Sequence, residues 1–342
     1  MSILVIGGGK MGLSHLAILC SLLGAGEVAL CDPSKITRYI FKKLNFKTFR
    51  SLDEALAQAI PWTGAIVATP TSSHFAVAQA LLQRSIPCFI EKPLTLNKEK
   101  SQKLIDMQAI SGTVVQMGLV LRFVQSFVKM RWIVSSGVLG APVSYEAKML
   151  GNVVSKPDNG SWRTDYSRGG GCLNEYGPHL LDLCRAIFGD VATLKSATHE
   201  KIFSIRADDR VNLSWMHASG VQGDLRLDWC DSTQRKSLIE FNVMFERGTV
   251  CANNAEVLID VTADAVLDPA LKDQLFAPSL PFPVNYYLRG EEYSLQLELF
   301  LEQVFHKKII VAHIDHDLAA SLRDGLEVDQ LIKEIAEMCG LV

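Results

Sequence analysis

Six residues, Gly7-Gly8-Gly9-Lys10-Met11-Gly12, follow an apolar run and open a helical pattern. Glycines at the first, third and sixth places suit a backbone that turns tightly, approaches an anion and lets a helix pack on a sheet. The free N–H groups and positive dipole end of such a helix favour phosphate, with Lys10 and Met11 at its opening. Asp32 stands 20 positions beyond Gly12, at the end of the next apolar run. A carboxylate there accepts hydrogen bonds from both ribose hydroxyls of an adenosine and repels a 2′-phosphate. NAD is therefore the expected cofactor, and NADP, for which Lys35 and Arg38 argue, the lesser alternative. Thr69-Pro70-Thr71-Ser72-Ser73-His74 leaves a fourth apolar run and enters a helix. Loops at that end of parallel strands line the ligand crevice, so Thr69, Pro70 and His74 are candidate cofactor contacts. Ser72 or Ser73 reads as a helix cap, and His74 reads equally well as a structural histidine. Glu91-Lys92-Pro93 ends a fifth run at the same edge, where a lysine supplies a cation beside a reacting oxygen.

These positions require a particular scaffold. Candidate strands at 2–6, 27–32, 46–49, 64–69, 87–91 and 114–118 alternate with candidate helices at 11–24, 34–44, 51–59, 73–84 and 97–110. That alternation predicts right-handed βαβ units and a parallel sheet. After a helix at 123–136 the pattern changes to longer alternating segments at 143–150, 210–217, 221–229, 236–245 and 255–261, which predict antiparallel strands with one covered face. The stretch 262–285 reads as a loop, and helices are expected at 290–306 and 317–338. The division into 1–119 and 120–342 places the boundary near 119–123.

Of the 342 residues, 48% are hydrophobic and 21% charged, enough for two packed cores. A net charge of −3 without a basic run argues against nucleic acid. Eight scattered cysteines without a Cys-x-x-Cys pair read as reduced core thiols of a cytoplasmic protein, with neither disulfides nor a metal site. The start of the chain does not read as a secretory leader, and no apolar stretch is long enough for a membrane span.

The glycine loop and Glu91-Lys92-Pro93, together with the distant block Gly169-Gly170-Gly171-Cys172-Leu173-Asn174-Glu175-Tyr176-Gly177-Pro178-His179-Leu180-Leu181-Asp182, resemble the glucose–fructose oxidoreductase / inositol dehydrogenase / rhizopine-catabolism (Gfo/Idh/MocA) family. Pro70, His74, Arg122, Trp162-Arg163 and the segment 320–326 add to the likeness, which is dense over 1–150 and 160–190 and faint from 190 to 310. The resemblance implies an α/β chain: a Rossmann dinucleotide-binding domain, then an α+β domain with an open, mainly antiparallel sheet. It implies pyridine-nucleotide oxidation of sugars, polyols or nucleotide sugars, with Lys92 as catalytic lysine and His179 as general acid/base. Glu175 falls where many members carry aspartate, one methylene shorter. The likeness also implies a cis Lys92–Pro93 peptide.

Histidine suits the proton transfer, with an ordinary pKa of about 6.5. Gly177-Pro178 reads as a helix start, whose dipole would keep His179 neutral. Arg122, Trp162, Arg163 and Tyr176 are candidate substrate contacts that equally suit packing or ion pairing, and Asp182 reads as a helix charge. An uncovered sheet predicts a homodimer or homotetramer. Two rivals share the fold: an enzyme that retains NAD for transient oxidation in elimination or glycoside cleavage, and a non-catalytic sensor of nucleotide or sugar.

Overall fold

The computed structural model describes residues 2–157, 160–262, 286–307 and 315–341. The loop expected at 262–285 lies, beyond Thr262, outside the described residues. The chain divides into two compact units, Met1–Phe123 with Pro281–Gln330, and Val124–Leu280 with Leu331–Val342. The first break falls at the end of the expected 119–123 range. The return of the late segment to the first unit departs from the expected 120–342 domain. Its cause is the helix Glu291–Phe305, in which every residue from Ser294 to Leu301 is buried.

The first unit carries strands β1 (Ile3–Ile6), β2 (Val28–Cys31), β3 (Lys47–Phe49), β4 (Gly64–Val67), β5 (Cys88–Glu91) and β6 (Val115–Gly118). They form one parallel sheet in the order β3-β2-β1-β4-β5-β6. Between them run α1 (Lys10–Leu23), α2 (Lys35–Lys43), α3 (Leu52–Leu56), α4 (Thr71–Leu82) and α5 (Lys98–Ser111). All four residues of β1, β2, β4, β5 and β6 are buried, as a sheet covered on both faces requires. Alternate side chains enter two cores. Leu4, Ala29, Ala65 and Ile90 pack with Leu81 and Leu104, while Ile3, Leu30, Ile66 and Phe89 pack with Leu19 and Phe300. The chain winds outward both ways from β1 and β4, and the loops after those strands lie at this switch point, where such sheets bind ligands.

The second unit contains α6 (Gln125–Ser136), β7 (Pro142–Leu150), α7 (Cys172–Phe188), β8 (Val191–Glu200), β9 (Arg210–His217), β10 (Gln222–Asp228), β11 (Leu238–Phe245), β12 (Gly248–Asn253) and β13 (Val257–Val261). Its sheet runs β13-β12-β11-β7-β10-β9-β8, and only β7 and β10 pair in parallel. Along β9, Val211, Leu213, Trp215 and His217 are buried and alternate with half-buried Arg210, Asn212, Ser214 and Met216. The unburied face carries Glu146, Lys148, Asn212, Ser214, Asp224 and Arg226. Two strands, β8 and β12, have no counterpart among the expected segments.

A polar chain runs through the covered side. Trp215 Nε1 donates to Tyr145 Oη at 2.7 Å, Tyr145 Oη lies 2.7 Å from His217 Nε2, and His217 Nδ1 lies 2.7 Å from Gly189 O. Indole only donates and a carbonyl only accepts, so the tyrosine proton goes to Nε2 and the imidazole proton sits on Nδ1. Burial pulls the His217 pKa down, in keeping with that neutral ring. Tyr145 stacks on Phe188 with ring centroids 4.1 Å apart. A Cβ on Gly223 would lie 2.4 Å from Tyr145 Cζ and 2.5 Å from Trp215 Nε1, so this strand position admits no side chain.

Candidate functional site

The glycine loop has the geometry its chemistry requires. Gly7 has a φ of 103°, and a Cβ there would lie 2.4 Å from Ala68 O. At Gly12 a Cβ would lie 1.8 Å from Gly7 O. Gly9 differs, because nothing lies within 4 Å of its missing Cβ. The helix behind it has no side-chain cap and no acidic residue in its first turn, leaving its first N–H groups for an anion. The residues present therefore fit a dinucleotide pyrophosphate. Asp32 is fixed against the loop, Oδ2 accepting from Gly8 N at 2.6 Å and Oδ1 from Ser34 N at 2.8 Å. Each carboxylate oxygen keeps a second lone pair for a ribose hydroxyl. Arg38 Nη1 donates to Asp32 O at 2.7 Å, so its guanidinium is turned back on the main chain. Lys10 is exposed and Met11 half-buried at the helix opening.

Around the fourth strand, α4 begins at Thr71 behind Pro70, which is exposed. Ser73 does not cap the helix; its Oγ bonds Pro70 O at 2.7 Å and Thr69 Oγ1 at 2.8 Å. His74 is 1% exposed, with Nε2 2.9 Å from Thr69 O and Nδ1 2.9 Å from Pro93 O and 3.1 Å from Leu94 O. Both ring nitrogens face main-chain carbonyls. These partners suit the structural one of its two expected roles.

The Lys92–Pro93 peptide is cis, and Lys92 is half-buried. Glu91, a candidate cofactor contact, points into the unit. It is 9% exposed, with Oε1 2.6 Å from His15 Nε2 and Oε2 accepting from Lys92 N at 3.3 Å. Burial pushes the Glu91 carboxyl up, but the His15 hydrogen bond and nearby positive charge outweigh it and hold the pKa below the usual range. Arg122, a candidate substrate contact, is 7% exposed and pairs with Asp324 at 3.0 Å. Burial raises the Asp324 carboxyl, yet this guanidinium and hydrogen bonds from Ser321 leave it lowered. Arg122 is thus an ion-pair residue inside the first unit.

In the second unit, α7 starts at Cys172 behind Gly171, five residues before the expected start at Gly177. Pro178 lies inside the helix, and His179 falls in its third turn. A helix dipole acts mainly within the first turn, so it does not set the state of His179. Glu175, by contrast, occupies that first turn. From Cys172 to Cys184 every residue is buried except Glu175 and His179. Four apart, these two share one helix face. The start of the helix is capped from a distance: Asp208 Oδ2 accepts from Leu173 N at 2.7 Å and Asp208 O from Cys172 N at 3.0 Å. A Cβ on Gly171, whose φ is 107°, would lie 2.2 Å from Asp208 Oδ1. Burial pushes the Asp208 carboxyl up to about 6.

Tyr176 is buried, its hydroxyl 3.1 Å from Ser237 Oγ, and burial pushes its pKa up to about 12. Trp162 is 39% exposed, and the Arg163 guanidinium lies 5.0 Å from its ring centroid. Asp182 is 1% exposed, in keeping with a structural role. His15, Asp208 and Asp329, which accepts from the Thr95 and Leu96 amides, hold this architecture without a motif of their own in the sequence. Each acts on residues far along the chain, and only the position of His15 beside the glycine loop offered a signal.

Residues 1–119 match a family model described as an oxidoreductase family with an NAD-binding Rossmann fold, and residues 127–251 match the GFO/IDH/MocA C-terminal domain. UDP-N-acetylglucosamine 3-dehydrogenase of Acidithiobacillus ferrooxidans is 31% identical over 149 residues, 43% of this chain and 44% of that one. The NAD(+)-dependent scyllo-inositol 2-dehydrogenase of Bacillus subtilis is 25% identical over 58% of this chain and 57% of its own. The matched stretch thus spans about half the length of these relatives. A levoglucosan dehydrogenase solved with NADH has the same fold, with a TM-score of 0.79 at 18% identity, covering 99% of this chain and 97% of that one. Among the described residues no helix is long and apolar enough to cross a membrane. With one family's two domain models matched in succession along it, and an NAD-binding Rossmann domain at its start, the chain belongs to the Gfo/Idh/MocA oxidoreductases.

Proposed function

We propose that the protein is an NAD-dependent dehydrogenase that oxidises a secondary hydroxyl of a sugar, polyol or nucleotide sugar, or reduces the corresponding ketone. The observation that carries this reading is the helix α7, closed to solvent from Cys172 to Cys184 except at Glu175 and His179. A helix that covers a sheet has no packing reason to open at two titratable side chains on one face; a proton-transfer site does. Bound nicotinamide supplies the hydride acceptor. The dinucleotide is held by Gly7, Gly9, Gly12 and the N–H groups of Lys10 and Met11, with Asp32 on the adenosine ribose and Thr69 and Pro70 at the neighbouring loop. Lys92 places its ammonium beside the substrate oxygen and stabilises alkoxide character. His179 takes the hydroxyl proton, and Glu175 holds a substrate hydroxyl or the imidazole. Trp162 and Arg163, the one half-exposed and the other stacked on it, are the remaining substrate contacts.

The relatives' names span a UDP-sugar, an inositol and an anhydrosugar, which supports a hydroxyl-rich substrate without choosing one. The domains divide the work, the Rossmann domain taking the cofactor and the second domain taking substrate and subunit contact through its polar sheet face, in the cytoplasm. The test is a screen at 340 nm of NAD and NADP reduction over free polyols, sugars, sugar acids and nucleotide sugars. NADH formation with a polyhydroxylated compound is expected. Substrate consumed without net NADH points to the enzyme that retains its cofactor, and tight NAD binding without any turnover removes the dehydrogenase reading.

A further inference from the structure

The segment that follows Lys92 is held by side chains from two distant elements. His74, on α4, sets Nδ1 2.9 Å from Pro93 O and 3.1 Å from Leu94 O. Asp329, on the final helix Leu322–Cys339, accepts from Thr95 N at 2.9 Å and from Leu96 N at 2.8 Å, both on Oδ2. Carbonyls only accept and amides only donate, so a proton on His74 Nδ1 and a bare Asp329 oxygen are what the strap requires. The two grips lie on consecutive residues, first two carbonyls and then two N–H groups. His74 is 1% and Asp329 5% exposed, so both gripping side chains are shielded from water on their own side of the strap. Leu96, with a φ of 54°, keeps a left-handed conformation that a free loop would leave. Leu94 is fully buried, and Gly325, four residues before Asp329, leaves room for it: a Cβ there would lie 3.1 Å from Leu94 Cβ.

Given the reading of Lys92 as the group that faces the substrate oxygen, we infer that His74 and Asp329 are positioning residues that hold the 93–96 strap and thereby fix where the Lys92 ammonium can reach. A lysine side chain has four rotatable bonds, so its reach is defined only as well as the backbone beneath it. A misplacement of about 1 Å costs up to roughly 10²-fold in rate. Neither residue needs to touch substrate or cofactor for this.

The test compares wild type, Asp329→Ala, Asp329→Asn and His74→Gln, each loaded with NAD. Acylation of Lys92 by acetic anhydride is read by mass spectrometry against Lys98, Lys100 and Lys103 as internal references, beside amide exchange of residues 93–97 and steady-state turnover. In Asp329→Ala the Thr95 and Leu96 amides are expected to exchange about tenfold faster. The relative acylation of Lys92 should shift about fivefold while the three references stay constant. The kcat should fall roughly 10- to 100-fold with the NAD affinity within about twofold. Asp329→Asn, which keeps an acceptor oxygen, should recover most of all three. His74→Gln should shift Lys92 from the other side of the strap and decides the matter if Asp329→Ala does not fold. Unchanged Lys92 reactivity in both Asp329→Ala and His74→Gln, with the strap amides opened, overturns the inference. If Lys92 reactivity shifts but the wild type turns over no substrate, the strap stands and the catalytic reading of Lys92 falls.

Discussion

The two sheets place chemistry in opposite ways. Five of the six strands of the first unit's parallel sheet are buried on both faces, so the candidate groups are pushed to its carboxyl edge: Gly7–Gly12, Asp32, Lys92. The second sheet is buried on one side only, and its candidate acid/base pair rides on the helix that covers it. A doubly covered sheet thus demands catalysis from its ends. A singly covered one permits it from its lid and leaves its other face polar.

The deepest test of that contrast removes one reacting group from each region. Lys92→Ala and His179→Ala are each expected to lower kcat by about 10²–10⁴-fold, with NAD binding preserved. Single-turnover and equilibrium binding measurements separate the two effects. If either loss leaves kcat intact, that region binds and does not react.

Stability distinguishes the faces themselves. Leu4→Ala on one side of the first sheet and Ile3→Ala on the other should each cost about 2–5 kcal/mol, since both faces are core. In the second sheet Leu213→Ala should cost as much, whereas its neighbour Asn212→Ala should stay within about 0.5 kcal/mol. Urea titrations of the four variants check this. Equal costs at 212 and 213 would mean that the polar face is buried in the molecule as it exists in solution.

Each unit also holds one buried carboxyl pushed up to about 6, Asp208 in the second and Asp329 in the first. Their folded pKa lies above the unfolded value, so the stability each contributes is present below about pH 4 and lost as pH rises through about 6. A shift of about two units corresponds to roughly 2–3 kcal/mol. Asp208→Asn should therefore gain thermal stability on wild type at pH 7.5 and not at pH 4, and a gain at pH 4 alone would reverse the sign. The smallest effect belongs to the cofactor edge. Asp32→Ser should move the NAD:NADP affinity ratio toward NADP by about tenfold, roughly 1.4 kcal/mol, by binding titration, and an unmoved ratio removes Asp32 from the choice.

What was legible in the sequence follows the same division. The glycine loop, Asp32 and the short apolar strands are local patterns, and the first sheet could be read almost strand by strand. The strand β8 could not, because it lies at the sheet edge with exposed residues on both faces and two register shifts, so it carries no clean alternation. The start of α7 was misplaced because Gly177-Pro178 imitates a helix opening, while the actual one rests on Gly171 and on Asp208, 35 residues from the Leu173 amide that it caps. His15 meets Glu91 across 76 positions and Asp329 meets Leu96 across 233, distances at which no single-sequence pattern operates. Arg122 was visible as a cation, but its pairing with Asp324, 202 positions away, was not.

The parallel pairing of β7 with β10 in an otherwise antiparallel sheet has a kinetic consequence. Neighbours in that pair, such as Ser144 and Gln222, are separated along the chain by α7, β8 and β9. Contacts of such long sequence separation are slow to form. The pairing of β7 with β10 is therefore expected to close after the local pairing of β9 with β10, and Glu175 and His179 ride on the helix inside that long intervening stretch.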